Sequence, residues 1–197
     1  MRAGRIKIST REFEVVDHPI PEPFLGQVRL QVKAAGVCLS DVHLLDSTLS
    51  PVYLEGDEVT IGHEVSGIID SLGDGVTGWS IGDRVIVCAG IRDEKGRIRT
   101  QGFDFDGGFA EYMLTHSESL VAIHGELSFE EACIIPDAVS TPWAAITQSA
   151  QVQSRQSSAV FGIGGLGVHA VQLLKIIGSD PIIAVDPLPE ARERALA

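Results

Sequence analysis

The fold of the second part of the chain follows from one stretch, residues 157–186, SSAVFGIGGLGVHAVQLLKIIGSDPIIAVD. It begins with a short apolar run typical of a strand, continues with a glycine-rich turn, and then carries apolar residues at helical spacing. A second β-branched run, IIAV, follows the helix. Strand, turn, helix and strand in this order predict a βαβ unit, which begins a doubly wound parallel sheet.

The turn of this unit has the spacing GxGxxG at Gly162, Gly164 and Gly167. The first glycine permits the tight turn, the second lets the backbone approach a pyrophosphate, and the third allows close helix packing. Backbone N–H groups at the helix start can bind phosphates, so the predicted cofactor-binding turn comprises Gly162, Ile163, Gly164, Gly165, Leu166 and Gly167. Asp186 follows Gly167 by 19 residues, the place of a carboxylate that binds a ribose hydroxyl and favours NAD over NADP. The alternative is that these are turn glycines of an α/β protein without a nucleotide site.

One more helical pattern, LPEARERALA, follows Asp186 and reaches Ala197 without a capping signal. A complete doubly wound domain has about 100 to 150 residues, whereas only 45 residues follow Val152. We therefore expect residues 151–197 to be the first βαβ unit of a truncated nucleotide-binding domain. Residues 1–150 are expected to form a separate domain.

The first part of the chain, from Ile6 to about Val121, predicts short antiparallel strands separated by Gly, Asp and Pro turns, as in a small barrel or sandwich. A polar, charged insertion between Cys88 and Gly108 predicts a surface loop. From Ser128 the pattern becomes helical, and Glu131 three residues later predicts a capping box. A second helix is expected from about residue 142 to residue 150. The fold class is therefore α/β overall, with a β-rich domain before the parallel sheet.

Composition excludes several functions. The formal charge of −12, from 27 acidic and 15 basic residues without a basic block, argues against nucleic acid as a partner. The chain has neither the apolar core of a signal peptide nor 18 consecutive apolar residues, so we expect no membrane partner and a cytoplasmic location. Three cysteines without a close pair argue against a disulfide framework and leave at least one thiol for packing or for metal.

Two short stretches contain metal-binding residue types. GVCLSDVH carries Cys38, Ser40, Asp41 and His43, and IGHEVSG carries His63 and Glu64. Alone, a cysteine is more often a small core residue and a histidine a hydrogen-bonding group. Together they offer a thiolate, imidazoles and carboxylates, which are the ligands that Zn²⁺ prefers.

Several motifs in sequence order resemble one family. GHEVSGIIDSLGDGV, residues 62–76, has the spacing of the zinc alcohol dehydrogenase signature, and GVCLSDVH, GDRV, DGGFAEYM and GIGGLG occur in the same order as in that family. From about Ile6 to its end the chain is similar to the medium-chain dehydrogenase/reductase family. The resemblance implies a GroES-like catalytic domain followed by a Rossmann domain, with the active site in the cleft between them.

The resemblance also implies a set of metal ligands. Cys38 and His63 match the first two ligands of a catalytic zinc. Asp137, four residues before Thr141, matches the third, which is Cys in many members and Asp or Glu in others. Glu64 matches a residue behind, or occasionally on, the metal. The alternative for Asp137 is a helix or turn cap beside a proline. The loop after GDRV offers only one cysteine, so we expect one catalytic zinc and no structural zinc.

The activity that the resemblance implies is hydride transfer between an alcohol and NAD, with zinc polarising the substrate oxygen. Ser40 and His43 match the residues that carry the proton to solvent, Asp41 the partner that orients the histidine ligand, and Thr141 a residue on the nicotinamide side of the pocket. The expected substrates are alcohols and the matching aldehydes or ketones, and the expected assembly is a homo-oligomer, as a dimer or tetramer. Two alternatives are a zinc-free quinone or enone reductase of the same fold and an inactive truncated fragment or binding module.

Overall fold

A computed structural model describes residues 1–196 of the chain. The contacts divide it into two compact units, Met1–Pro136 and the part from Asp137 onward. The predicted domain bounds, residues 1–150 and 151–197, stay a prediction. Ala197, the end of the last predicted helix, lies outside the described residues. The fold is mixed α/β, with antiparallel sheets first and a parallel strand pair after them, as the predicted fold class requires.

The first unit is built from antiparallel strands, as the alternating pattern predicts. In the main sheet, strands pair in the order β10, β6, β5, β3, β9, and a smaller sheet has the order β2, β1, β4. The strands are β1 Arg2–Lys7, β2 Glu12–Asp17, β3 Gln27–Gly36, β4 Glu58–Thr60, β5 Glu64–Leu72, β6 Arg84–Val87, β7 Gly90–Arg92, β8 Ile98–Thr100, β9 Tyr112–His116 and β10 Leu120–Ala122.

The core of this unit follows from the alternation of side chains along each strand. In β3, Val28 and Leu30 are fully buried, whereas the alternate residues Arg29 and Gln31 are only half-buried. Burying each such apolar side chain contributes about 1.5–3 kcal/mol. The core of the main sheet comprises Val28, Leu30, Val65, Ile69, Val85, Val87, Met113 and Leu120. A second cluster, beside the smaller sheet, comprises Ile6, Leu44, Val59 and Ile61.

The polar insertion is more ordered than the sequence indicates, so the prediction of a surface loop was wrong in part. Strands β7 and β8 pair as an antiparallel hairpin, and Arg97 Nε donates to Asp93 Oδ2 at 2.7 Å within it. After β8 the chain turns inward. Gln101 is 0% exposed, and its amide donates to the carbonyl oxygens of Asp106 and Leu114. Hydrogen bonds of polar side chains thus stabilise the insertion between Cys88 and Gly108, which has few apolar residues.

Helix α1, Leu39–Leu45, follows β3, and helix α2, Phe129–Cys133, begins at the predicted capping box. Ser128 Oγ accepts from the Glu131 backbone N–H at 3.2 Å, and the Ser128 N–H donates to the Glu131 carboxylate at 3.1 Å. A π-helical segment, Ile135–Val139, follows. Pro136 has no N–H to donate, so a regular α-helix cannot continue through it. The predicted second helix starts earlier than expected, as α3, Ser140–Ala144, with a further π-helical segment, Ala145–Ser149.

The second unit contains the predicted βαβ element. Strand β11, Ser158–Phe161, pairs in parallel with β12, Ile182–Val185, and helix α4, Gly165–Ile177, lies between them in sequence. Helix α5, Pro189–Leu196, follows β12. Along both strands, half-buried and exposed residues alternate. Phe161 and Ile183 lie at exposed positions, and their side chains are 78% and 54% exposed. Among the described residues, we find no helix whose length and apolar character would let it cross a membrane.

Candidate metal centre and nucleotide-binding turn

The structure brings the four predicted metal ligands together. One donor atom each from Cys38, His63, Glu64 and Asp137 lies within 4.8 Å of the others. His63 and Glu64 are buried, and Cys38 and Asp137 are half-buried. Asp137 directly follows Pro136 and belongs to the π-helical segment Ile135–Val139. Residues 99 positions apart in the sequence therefore meet at one point.

Asp41 links two of these ligands. Cys38 is the N-cap of α1, and its backbone N–H donates to Asp41 Oδ2 at 2.9 Å. The other carboxylate oxygen, Oδ1, lies 3.3 Å from His63 Nδ1. The two atoms are within ion-pair distance but do not meet hydrogen-bond geometry. A proton on Nδ1 would face Asp41 and leave Nε2 for a metal. Asp41 thus occupies the place that the resemblance implies for the partner of the histidine ligand.

The backbone around His63 is held by residues 101–109, which we call the support segment. The N–H groups of Gly107, Gly108 and Phe109 donate to the carbonyl oxygens of residues 60, 62 and 61 at 2.7–2.8 Å. Gly62 has φ +95°, which favours glycine, and a Cβ there would lie 2.4 Å from the Phe109 ring. The Phe103 ring packs on the His63 ring, with centroids 5.1 Å apart. The support segment therefore orients His63 through both backbone and side chain.

Glu64 lies deep in the cluster. It is 4% exposed, and its Oε2 occupies the space beside Gly36, where a Cβ would come within 2.1 Å of it. Burial and the nearby negative charge of Glu64 raise the pKa of the Cys133 thiol. Cys133 is itself buried, and its raised pKa favours the neutral thiol of a packing residue.

Thr141 contacts Asp137, one of the predicted metal ligands. Its hydroxyl donates to Asp137 Oδ1 at 2.8 Å, and the residue itself is exposed. In the sequence, Asp137 and Thr141 are four residues apart, a spacing at which helical side chains meet. Sequence reasoning assigned Thr141 to the cofactor and missed this bond, although the spacing predicts it.

Ser40 and His43 lie on α1, three residues apart and therefore on one side of the helix. Ser40 Oγ is 3.6 Å from Cys38 Sγ, so the hydroxyl lies beside the metal cluster. His43 is half-buried in the last turn of α1. The predicted proton-transfer residues are thus on the element that begins at the first predicted ligand.

The donor set fits a zinc ion. It offers one thiolate, one imidazole and two carboxylates, which is ligand chemistry that Zn²⁺ prefers. Bonds of about 2.0–2.3 Å in tetrahedral geometry place two zinc donor atoms roughly 3.3–3.8 Å apart. The donor atoms here lie within 4.8 Å of one another, so side chains would move closer by up to about 1 Å around a single ion.

The glycine-rich turn has the close approach that its motif predicts. Gly162 has φ +86°, which favours glycine. A Cβ on Gly167 would lie 1.8 Å from the Gly162 carbonyl oxygen, so a side chain there would push α4 away from the turn. A Cβ on Gly164 or Gly165 would meet nothing within 4 Å. The open side of the turn is therefore at the start of α4, where backbone N–H groups can receive phosphate oxygens.

Asp186 is bound to this turn. Its Oδ2 accepts from the Ile163 backbone N–H at 2.7 Å, and its Oδ1 accepts from the Leu188 N–H at 2.9 Å. These two bonds, with the charges of Arg192 and Arg194, lower the pKa of Asp186. The carboxylate is thus ionised and fixed in orientation, with further lone pairs to accept from a ribose hydroxyl.

Two groups of predicted residues therefore form. Thr141 joins the metal cluster through Asp137, and Asp186 joins the glycine-rich turn. Phe103 and the glycines of the support segment had been assigned no role at the site. The motif DGGFAEYM marks the end of this segment, but no sequence signal places Phe103 on His63.

A GroES-like unit with a Cys, His and carboxylate cluster, followed by a Rossmann-type βαβ unit, is the fold class of the two-domain dehydrogenases. The family profile "Alcohol dehydrogenase GroES-like domain" matches residues 25–125. The chain belongs to this family, within the medium-chain dehydrogenases/reductases.

Relatives share this architecture over the whole chain. A "NAD-dependent alcohol dehydrogenase" of Sulfurisphaera tokodaii is 33% identical over 213 residues, covering 99% of this chain and 61% of the relative. An "NDMA-dependent alcohol dehydrogenase" of Amycolatopsis methanolica is 30% identical, covering 99% of this chain and 60% of the relative. A crystal structure of an NAD-dependent alcohol dehydrogenase superposes with a TM-score of 0.89 at 30% identity, covering 100% of this chain and 61% of that one. The chain thus spans about three fifths of the length of the relatives it matches.

Proposed function

We propose that this chain is the metal-binding and nucleotide-binding portion of an oxidoreductase that transfers a hydride between an alcohol and NAD. The observation that carries the proposal is the convergence of Cys38, His63, Glu64 and Asp137 on one point. The relatives named as alcohol dehydrogenases support the reaction class. The particular alcohol, the homo-oligomeric assembly, the cytoplasmic location and the domain bounds at residue 150 stay predictions.

Zinc, when bound, supplies a Lewis acid that polarises the substrate oxygen. Cys38, His63 and Asp137 would hold it as thiolate, imidazole and carboxylate. Glu64 would lie behind the ion or bind it directly. Asp41 fixes the ring of His63 through the contact between Asp41 Oδ1 and His63 Nδ1, and partners of this kind are worth about 10- to 100-fold in metal affinity.

The proton of the alcohol needs a path to water. Ser40 Oγ lies 3.6 Å from Cys38 Sγ, so its hydroxyl is placed to exchange a proton with a group bound beside that sulfur. His43, on the same side of α1, is half-buried and so retains contact with solvent. Because one ring nitrogen of an imidazole can accept a proton while the other donates one, His43 could pass the proton to water.

The glycine-rich turn would bind the pyrophosphate of the cofactor through backbone N–H groups at the start of α4. Asp186, ionised and fixed by Ile163 and Leu188, would accept from a ribose hydroxyl. Its charge would repel a 2′-phosphate, which favours NAD over NADP. Thr141, through its bond to Asp137, would link the metal ligand to the nicotinamide side of the pocket.

Metal analysis of an Asp137→Ala variant tests the ligand set. We expect the purified chain to retain about one zinc after dialysis against buffer, because three side-chain ligands hold a catalytic zinc. Asp137→Ala should lose most of it. Asp74→Ala, which removes the same charge from an exposed turn, is the matched control and should retain the metal. An Asp137→Ala chain that keeps its full zinc content would refute the proposed site.

A further inference from the structure

Thr141 donates its one hydroxyl proton to Asp137 Oδ1 at 2.8 Å. We propose that Thr141 is a positioning residue for the proposed metal ligand Asp137, because this bond restrains the rotation of the carboxylate. The inference rests on the proposed function, since it takes Asp137 as a ligand. It assigns to Thr141 a role in metal binding that is separate from any contact with the cofactor.

The physical reason is the torsional freedom of an aspartate ligand. A cysteine ligand has one side-chain torsion, but aspartate has a second, and the rotation of its carboxylate about χ2 is soft and broad. A donor 2.8 Å from Oδ1 restricts that rotation. Oδ1 keeps a second lone pair, so the bond from Thr141 restricts the carboxylate without excluding either oxygen from the ion.

The local structure provides this bond at little cost. Asp137 lies in the π-helical segment Ile135–Val139, and Thr141 lies in the first turn of α3. Four-residue spacing places their side chains together. Thr141 is exposed, so its side chain does not hold the core. The hydroxyl already donates its one proton to Asp137, so it could only accept a hydrogen bond from a bound cofactor.

Zinc affinity of the full chain tests the inference, measured by competition with a chromophoric chelator. Thr141→Val removes the hydroxyl and keeps the shape, so we expect the zinc dissociation constant to rise about 10-fold, at the lower end of the effect of such partners. Thr141→Ser keeps the hydroxyl and should bind zinc as tightly as the original chain. Thr147→Val is the matched control. Thr147 donates to the Trp143 carbonyl at 2.7 Å, so the same chemical change occurs nearby without affecting a ligand.

Cobalt(II) in place of zinc gives a second readout that does not depend on activity. If Thr141 restrains the carboxylate, Thr141→Val should change the visible d–d absorption of the bound cobalt, and Thr141→Ser should restore it. Equal zinc affinities and equal cobalt spectra for Thr141→Val and the original chain would overturn the inference. So would a Thr141→Val chain whose metal-free thermal midpoint falls while its zinc affinity is unchanged, which indicates a purely structural bond.

The Asp137→Ala variant separates this inference from the proposed function. If Asp137→Ala loses zinc while Thr141→Val binds it normally, Thr141 does not position the ligand, and the proposed site stands. If Asp137→Ala retains zinc, the ligand assignment fails and the inference fails with it.

Discussion

Substitution of Gly167 should loosen helix α4 from the turn that precedes it. A Cβ at this position would lie 1.8 Å from the Gly162 carbonyl oxygen, whereas ordinary contacts begin at 3.4 Å. The obstacle is backbone, which cannot rotate aside as a side chain can. Helix α4 must therefore retreat by roughly 1.6 Å, about the rise of one helical residue.

The expected energies separate this variant from a close control. Overpacking of this kind costs about 1–3 kcal/mol, and we expect Gly167→Ala to lie at the upper end because the clash is with backbone. Gly165→Ala adds the same methyl group in the first turn of the same helix, where it would meet nothing within 4 Å. Alanine there improves helix propensity by up to about 1 kcal/mol. The two variants should differ by roughly 2–4 kcal/mol.

Hydrogen exchange of the α4 backbone, measured by mass spectrometry on peptides covering residues 165–177, reports the local opening free energy. A difference of 2–4 kcal/mol corresponds to roughly 30- to 700-fold faster exchange in Gly167→Ala than in Gly165→Ala. Equal exchange rates in the two variants would refute the proposed clash between a Cβ at position 167 and the Gly162 carbonyl oxygen. So would faster exchange in Gly165→Ala than in Gly167→Ala.

Two further predictions concern hydrogen bonds at element ends. Ser128→Ala removes the capping box of α2 and should cost about 1 kcal/mol, seen as a lower thermal midpoint by circular dichroism. Ser128→Thr keeps the cap, and a midpoint as low as that of Ser128→Ala would contradict this reason. Backbone donors lower the pKa of Asp186 below its usual 3.8, so its stabilisation of the turn is complete above that pH and is lost as the pH falls through the folded value. Between pH 6 and 3 the urea midpoint should therefore fall more steeply for the original chain than for Asp186→Asn, and equal slopes would count against the proposed bonds.

The fold was predictable where a local pattern carries its own physical cause. The change from strand alternation to helical spacing after the GxGxxG turn predicted β11, α4 and β12, because each period buries one face. Ser128 and Glu131 predicted the start of α2, because the capping box requires only residues three positions apart. Both features depend on neighbours in the sequence.

The insertion was not predictable in the same way. Its charges resemble a solvated loop, yet Gln101 is buried because its amide binds two carbonyl oxygens that are 5 and 13 residues away. Such bonds depend on where the chain turns. The contact of Phe103 with His63 likewise joins residues from separate elements and leaves no periodic signal.

The candidate site was partly predictable. The resemblance supplied Cys38, His63, Glu64 and Asp137, and their donor atoms converge. The bond from Thr141 to Asp137 could have been inferred from the four-residue spacing. The role of each ligand cannot be read from spacing, because it depends on a bound ion.

The two parts of the insertion differ in how freely they can be changed. The hairpin of β7 and β8 has an exposed turn around Gly96, and surface loops of this kind accept insertions and exchanges at small entropic cost. The support segment, residues 101–109, instead supplies the backbone bonds that hold the chain around His63. Loop grafting in the first unit therefore has a natural limit at Thr100, beyond which a change of length would also disturb the backbone around His63.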